Sequence, residues 1–173
     1  HLIEQSHPLL KKNAAAFALW ELWDATRSHF NLARLYVGAQ GTLGIVTEAE
    51  LKLTKFTKAE RMIVAPISEL SQLTPVVKGI LRYSPAVCET FDHFTYDLAK
   101  VHHPEDAARA SIADGKHMLV FAIYSGDNQQ QADEIAGRAK ESLERAGHEV
   151  AWIDDRETVE SMLLIRRKSF RML

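Results

Sequence analysis

The stretch HMLVFAIYSGDNQQQADEIAGRAKESLERAGHEVAWI, residues 117–153, decides the fold. Met118 to Ile123 is apolar without a break, as expected of a strand covered on both faces. Asp127 and Gln130 resemble a capping box that opens a helix. Ala132, Ile135, Ala136, Ala139 and Leu143 share one face of that helix, and Gly147 supplies a left-handed stop. Residues 149–153 return as a strand. The same order stands upstream, with a strand over 61–66 and a helix over 68–82 that buries Leu70, Leu73, Val76, Val77, Ile80 and Leu81. Ser84-Pro85 ends that helix, and 86–94 reads as a strand. Between the halves, 95–115 is polar, His-bearing and interrupted by proline, and reads as a short helix and loop. Strand, helix, strand, twice over, is the order of a ferredoxin-like split βαβ unit, an antiparallel sheet with two helices on one face. A generic α/β layer with another strand order is the alternative. The fold class is α+β, and 55–173 forms one domain whose repeating part closes near Asp154.

Residues 1–54 form the other domain. Parts of 6–32 are helix-like, with Ala14 to Trp20 the densest stretch. Leu35, Tyr36 and Val37 then run into Gly38-Ala39-Gln40-Gly41-Thr42-Leu43-Gly44, where three glycines in seven positions mark a loop whose backbone does something side chains would obstruct. Ile45 to Leu53 reads as a strand, β-branched at first and then alternating through Ala49, Leu51 and Leu53.

Composition narrows the function. The chain has 173 residues, 21 Lys+Arg against 23 Asp+Glu, a net charge of -2 and 46% hydrophobic residues, which is globular and not a disordered tail. Scattered basic residues give no footprint for nucleic acid. The apolar runs fall well short of the ~20 residues that span a bilayer. The single Cys88 cannot form an internal disulfide, and reads as a small buried apolar residue. The chain starts at His1 and stops inside an amphipathic helix, so it reads as a fragment.

The string Val37 to Leu53 resembles the last flavin-contacting segment of FAD-linked oxidases, the vanillyl-alcohol oxidase and p-cresol methylhydroxylase superfamily. Within it, the branch with D-lactate dehydrogenase, the glycolate oxidase flavin subunit and D-2-hydroxyglutarate dehydrogenase is most similar. Leu10-Lys11-Lys12-Asn13 and Asn31-Leu32-Ala33-Arg34-Leu35 resemble the same branch upstream. The resemblance implies that 1–54 is the C-terminal part of an FAD-binding domain and 55–173 part of a ferredoxin-like substrate (cap) domain. FAD would be held by Gln40, Gly41, Thr42, Leu43, Gly44, Ile45 and Val46, with Gln40 standing where the family usually has Glu. Gly41 and Gly44 lack the Cβ atoms that would keep backbone N–H donors away from a flat ring or a pyrophosphate. A glycine turn leading into a strand is the bland alternative.

On the last helix, Val159, Met162, Leu163, Phe170 and Leu173 form an apolar stripe on which Arg166 also falls. A guanidinium there needs an anion, and it suits the carboxylate of a 2-hydroxy acid. The family has Trp-x-x-Arg at this place as its substrate-carboxylate holder; Leu163-Leu164-Ile165-Arg166 keeps the Arg and has Leu for Trp. A salt bridge to a neighbour such as Glu160, or a packed stem with its head in water, would equally satisfy Arg166. His102-His103 reads as a solvated loop rather than a metal site, and Asp92-His93 as a packing pair. No catalytic residue and no metal ligand is assigned; the family's catalytic base and pyrophosphate loop would lie outside this chain.

The expectation is a piece of an FAD-dependent oxidoreductase that moves hydride from a small D-2-hydroxy acid to flavin. By itself the chain should neither retain FAD nor turn over substrate. A cytoplasmic placement is expected, peripheral to a membrane where the unidentified electron acceptor lies there, and a homo-oligomer is compatible with it. The competing reading is a small-molecule-binding or protein-interaction module without redox activity.

Overall fold

A computed structural model of the chain describes residues 2–5, 7, 17–24, 26–53, 59–110 and 115–172. It divides into two compact units, His1–Thr54 and Lys55–Leu173.

The first unit has little regular structure among its described residues: α1 (Leu2–Gln5), a 3-10 turn at Leu19–Glu21 and α2 (Ala33–Tyr36). The stretch 6–32 is therefore not one helix; its alanine-rich core, 8–16, lies outside the described residues. Trp23 and Phe30 instead form an isolated antiparallel bridge around a turn organised by Asp24. The Asp24 carboxylate accepts the Ser28 amide at 2.8 Å and the Thr26 hydroxyl at 2.9 Å. The strand expected over 45–53 does not form, because a strand exists only through its ladder and none of the described residues offers one. Ile45 stands 92% exposed, and Val46, Leu51 and Leu53 are exposed with it.

The second unit carries a four-stranded antiparallel sheet of β1 (Ala59–Ile67), β2 (Val87–Asp92), β3 (Met118–Gly126) and β4 (Ala151–Ile153), in the order β2-β3-β1-β4. That order, with every neighbour antiparallel, is the ferredoxin-like arrangement the repeat predicts. β1 and β3 pair along their full length, from Ala59 opposite Gly126 to Ile67 opposite Met118. The connecting helices are α3 (Leu73–Leu81), entered through a 3-10 turn at Leu70–Gln72, and α6 (Gln129–Arg145). α6 is capped one residue later than expected: Asn128, not Asp127, accepts the Gln131 amide at 2.9 Å, and Gln131 returns its side-chain oxygen to the Asp127 amide.

Both faces of the sheet are covered. On one, Ile63, Ala65, Val120, Ala122 and Tyr124 meet Val76 and Ile80 of α3 and Ala136, Ala139 and Leu143 of α6. On the other, Met62, Val64, Phe91, Leu119, Phe121 and Ile123 meet three further helices: α4 (His93–His102), α5 (Pro104–Arg109) and α7 (Arg156–Met172). The polar insertion is thus mostly helical. Tyr96 and Ala99 of α4 and Ala107 of α5 are buried, and Pro104 stands at the first turn of α5, where its missing N–H costs nothing. Each large side chain buried this way contributes roughly 1.5–3 kcal/mol.

Polar groups in this core are paired. Tyr96 donates its hydroxyl to the Ala107 carbonyl at 2.7 Å, and Tyr124 to that of Ile80 at 3.0 Å. Burial pushes the Tyr124 phenol well above its ordinary pKa. Arg61, its side chain 13% exposed, ties three elements together: Nε lies 2.6 Å from Asp133 of α6, Nη1 lies 2.5 Å from Asp154 after β4, and the guanidinium covers the Trp152 ring at 4.8 Å. The hydrogen bond to Asp133 raises the Arg61 pKa further, and Arg61 in turn holds the Asp133 carboxyl below its usual value.

Candidate functional site: a glycine loop and an anion anchor

The two candidate elements lie one in each unit. In the first, α2 ends at Tyr36 and the chain turns sharply. Ala39 donates its amide to the Tyr36 carbonyl at 3.2 Å, and Thr42 donates both its amide (2.9 Å) and its hydroxyl (2.6 Å) to the Ala39 carbonyl. Those bonds need left-handed backbone, which Gly38 (φ 82°) and Gly41 (φ 79°) supply and Gln40 accepts at φ 50° in spite of its side chain; beyond the turns Gly44 has φ 154°, also uncommon for any residue with a Cβ. At Gly44 the requirement is conformational, since an added Cβ would only touch Tyr36 at an ordinary 3.5 Å.

The turn leaves the amides of Gln40, Gly41, Leu43 and Gly44 without a partner among the described residues, on a loop whose side chains from Gln40 to Val46 are all exposed. Such a run of N–H donors fits a ligand rich in acceptors, and the exposed Leu43, Ile45 and Val46 fit its apolar part. FAD presents both kinds of surface. All seven positions from Gln40 to Val46, expected from the sequence to contact FAD, are contiguous and accessible.

The second element is on α7. Asp155 opens this helix by accepting the Thr158 amide at 2.7 Å, and the Thr158 hydroxyl together with that amide holds its carboxyl below the usual carboxylate range. Met162 and Ile165 are its fully buried contacts with the sheet, with Val159 and Leu163 packed beside them. Ser161, 3% exposed, is pinned to α5 by donating to Asp106 at 2.7 Å. Phe170 and Leu173, expected on the same stripe, lie outside the residues whose side chains are described.

Arg166 stands at the margin of this packed face and has an anion: Nε lies 2.6 Å from Oε2 of Glu89 on β2, each side chain 34% exposed. Glu160, the helix neighbour considered from the sequence, pairs with Arg156 instead. Glu89 was missed in the sequence, although a signal existed. In a strand over 86–94, Val87, Glu89 and Phe91 share one face, and a single carboxylate between two apolar residues calls for a cation. Next to it, burial and then the Glu89 charge push the Cys88 thiol up, away from reactive thiolate.

The remaining polar candidates serve the fold. Asp92 caps α4 by accepting the Thr95 amide at 2.8 Å. His93 lies against the His117 carbonyl, Nδ1 to O 3.2 Å. His102 and His103 end α4, with His103 Nδ1 4.0 Å from Asp106. No group of three His, Cys, Asp or Glu suited to a metal gathers among the described residues. Among the described residues of the second unit, an open cleft of about 310 Å³ lies beside His93, Lys100, Lys116 and His117, and another of about 390 Å³ between α5 and α7 beside Asp106, Arg109, Ser161 and Arg167. Neither includes Arg166. No helix among the described residues is long and apolar enough to cross a membrane.

Comparison with known proteins gives a consistent result. Residues 56–173 match the family model for FAD linked oxidases, C-terminal domain. D-2-hydroxyglutarate dehydrogenase of Escherichia coli (strain K12) is 24% identical over 99% of this chain and 18% of its own length. D-lactate dehydrogenase of Anaerostipes hadrus is 27% identical over 70% of the chain and 26% of its own length. Glycolate oxidase subunit GlcD of Bacillus subtilis (strain 168) is 34% identical over 45% of the chain and 18% of its own length. The chain thus spans about a fifth to a quarter of these relatives.

Proposed function

Because this chain belongs to the FAD linked oxidases through their C-terminal domain, we propose that it is part of an FAD-dependent dehydrogenase acting on a small D-2-hydroxy acid. The observation that carries the reading is the match of 56–173 to that family, joined to the relatives named for D-2-hydroxyglutarate and D-lactate dehydrogenation. It disfavours a module without redox activity.

FAD, when bound, would supply the redox chemistry, taking up the hydride of the substrate carbon while the hydroxyl proton leaves to a base. The protein's own residues bind, orient and exclude water. In this reading the loop from Gln40 to Val46 contacts the cofactor, offering the backbone amides of Gly41 and Gly44 where a Cβ-bearing chain would sit differently. Arg166 grips the substrate carboxylate through paired N–H donors, which fixes the hydroxyl-bearing carbon relative to whatever receives its hydride. The open side of its guanidinium supports that role. A homo-oligomeric assembly and a cytoplasmic location, peripheral to a membrane where the electron acceptor lies there, belong to the proposal as well.

Absorbance spectra of the flavin-loaded protein that carries this segment test the reading. Anaerobic D-lactate, glycolate or D-2-hydroxyglutarate should bleach the flavin bands, and Arg166→Ala should raise the concentration needed by about tenfold or more, as expected for loss of a charged hydrogen-bond pair. A protein that takes up no flavin from added FAD would refute it.

A further inference from the structure

We propose that Glu89 is the positioning partner of Arg166, holding the guanidinium on its Nε side so that its forked terminal nitrogens stay open to one substrate carboxylate. This rests on the reading of Arg166 as the carboxylate anchor.

The geometry has three parts. Glu89 is the one charged residue on the face of β2 turned toward the layer of α4, α5 and α7, between Val87 and Phe91, which both pack into the core. A half-buried carboxylate between two apolar neighbours is favoured beside a cation, and the cation present is Arg166, Nε to Oε2 2.6 Å. The closest approach is through Nε, and neither terminal nitrogen of Arg166 makes a hydrogen bond to a described residue. A guanidinium is planar, so fixing its Nε side fixes the direction of the fork.

Both supports are rigid. β2 is held in register against β3, with Glu89 opposite Phe121, and α7 is pinned to α5 through Ser161 and Asp106. An anchor held this way meets a carboxylate without first ordering a long side chain, which lowers the entropic cost of binding. The contrary role for Glu89 is an internal competitor that the substrate must displace. The two predict opposite signs.

Steady-state kinetics on the flavin-loaded holoprotein decide between them, using whichever of D-lactate, glycolate and D-2-hydroxyglutarate reduces it. Glu89→Ala should raise KM by about tenfold with kcat within about twofold, and Glu89→Gln, which keeps the acceptor, should stay within about threefold of wild type. Glu89→Asp withdraws the carboxylate by one methylene and should raise KM while keeping the charge, a second route if the alanine variant folds poorly. In an Arg166→Ala background, Glu89→Ala should add no further change. A fall or no change in KM for both Glu89→Ala and Glu89→Asp, while Arg166→Ala raises it, would overturn the positioning role and leave the anchor standing. If Arg166→Ala leaves KM unchanged, or none of the three acids reduces the flavin, the anchor is lost and its positioning partner with it.

Discussion

Asp92 closes β2 and opens α4, and its chemistry shows how much one side chain can carry. Partial burial alone would raise its pKa, but the amide and hydroxyl of Thr95 and the neighbouring His93 outweigh that and hold the carboxyl below its usual value. A depressed folded-state pKa contributes stability that is present above the unfolded value of about 3.9 and is lost as pH falls through the folded value. Asp92→Ala should therefore destabilise the domain by about 1 kcal/mol at pH 7, and Asp92→Asn by less. Urea unfolding at pH 7 and pH 3 checks this, and the gap between wild type and either variant should narrow at the lower pH. This cap was hidden in the sequence because the strand pattern runs on to Phe94 and absorbs Asp92. The cap of α6 was legible only to within one residue, since Asp127 and Asn128 are both competent and the backbone at Asn128 is the extended one. Arg166 was legible as a guanidinium in need of an anion, whereas Glu89 required knowing which strand brings a carboxylate to α7.

Elements were legible where they supply their own partners. β3 is central, and α6 shows a full helical face, so hydrophobic periodicity located both. The segment 45–53 has strand composition without a strand to pair with, and α4 and α5 bury small residues such as Ala99 and Ala107 that leave little periodic signal. Glycines test this level directly. A Cβ on Gly126, at the end of β3, would come within 2.7 Å of the Ala132 amide nitrogen and 3.0 Å of the Asn128 carbonyl oxygen, backbone atoms of the α6 cap that cannot step aside. Gly126→Ala should cost about 1–3 kcal/mol. Gly137, inside α6, has nothing within 4 Å of the same position, so Gly137→Ala should add up to about 1 kcal/mol by helix propensity. Thermal unfolding of the two variants should move the midpoint in opposite directions.

At the scale of the whole molecule, burial is unevenly shared. Ala18 and Ala39 are the buried hydrophobic residues described in the first unit, whereas the second has two cores separated by its sheet. Limited trypsin digestion should cut first at exposed Lys52 and leave a fragment that keeps its helical circular dichroism, as mass spectrometry and spectra of the digest would show. Earlier cleavage within α6 would contradict this. A sheet dry on both faces also changes what sets its alignment. In a half-wetted sheet, a one-residue slip is forbidden because it turns apolar side chains toward water. Here a slipped β3 would still present apolar side chains to both helical layers, so hydrophobicity cannot tell right from wrong. Shape and one buried hydroxyl must do so: a slip would carry Tyr124 to the opposite layer and strand its hydroxyl away from the Ile80 carbonyl. Tyr124 is in that sense a proofreading residue, fixing the reading frame of the sheet.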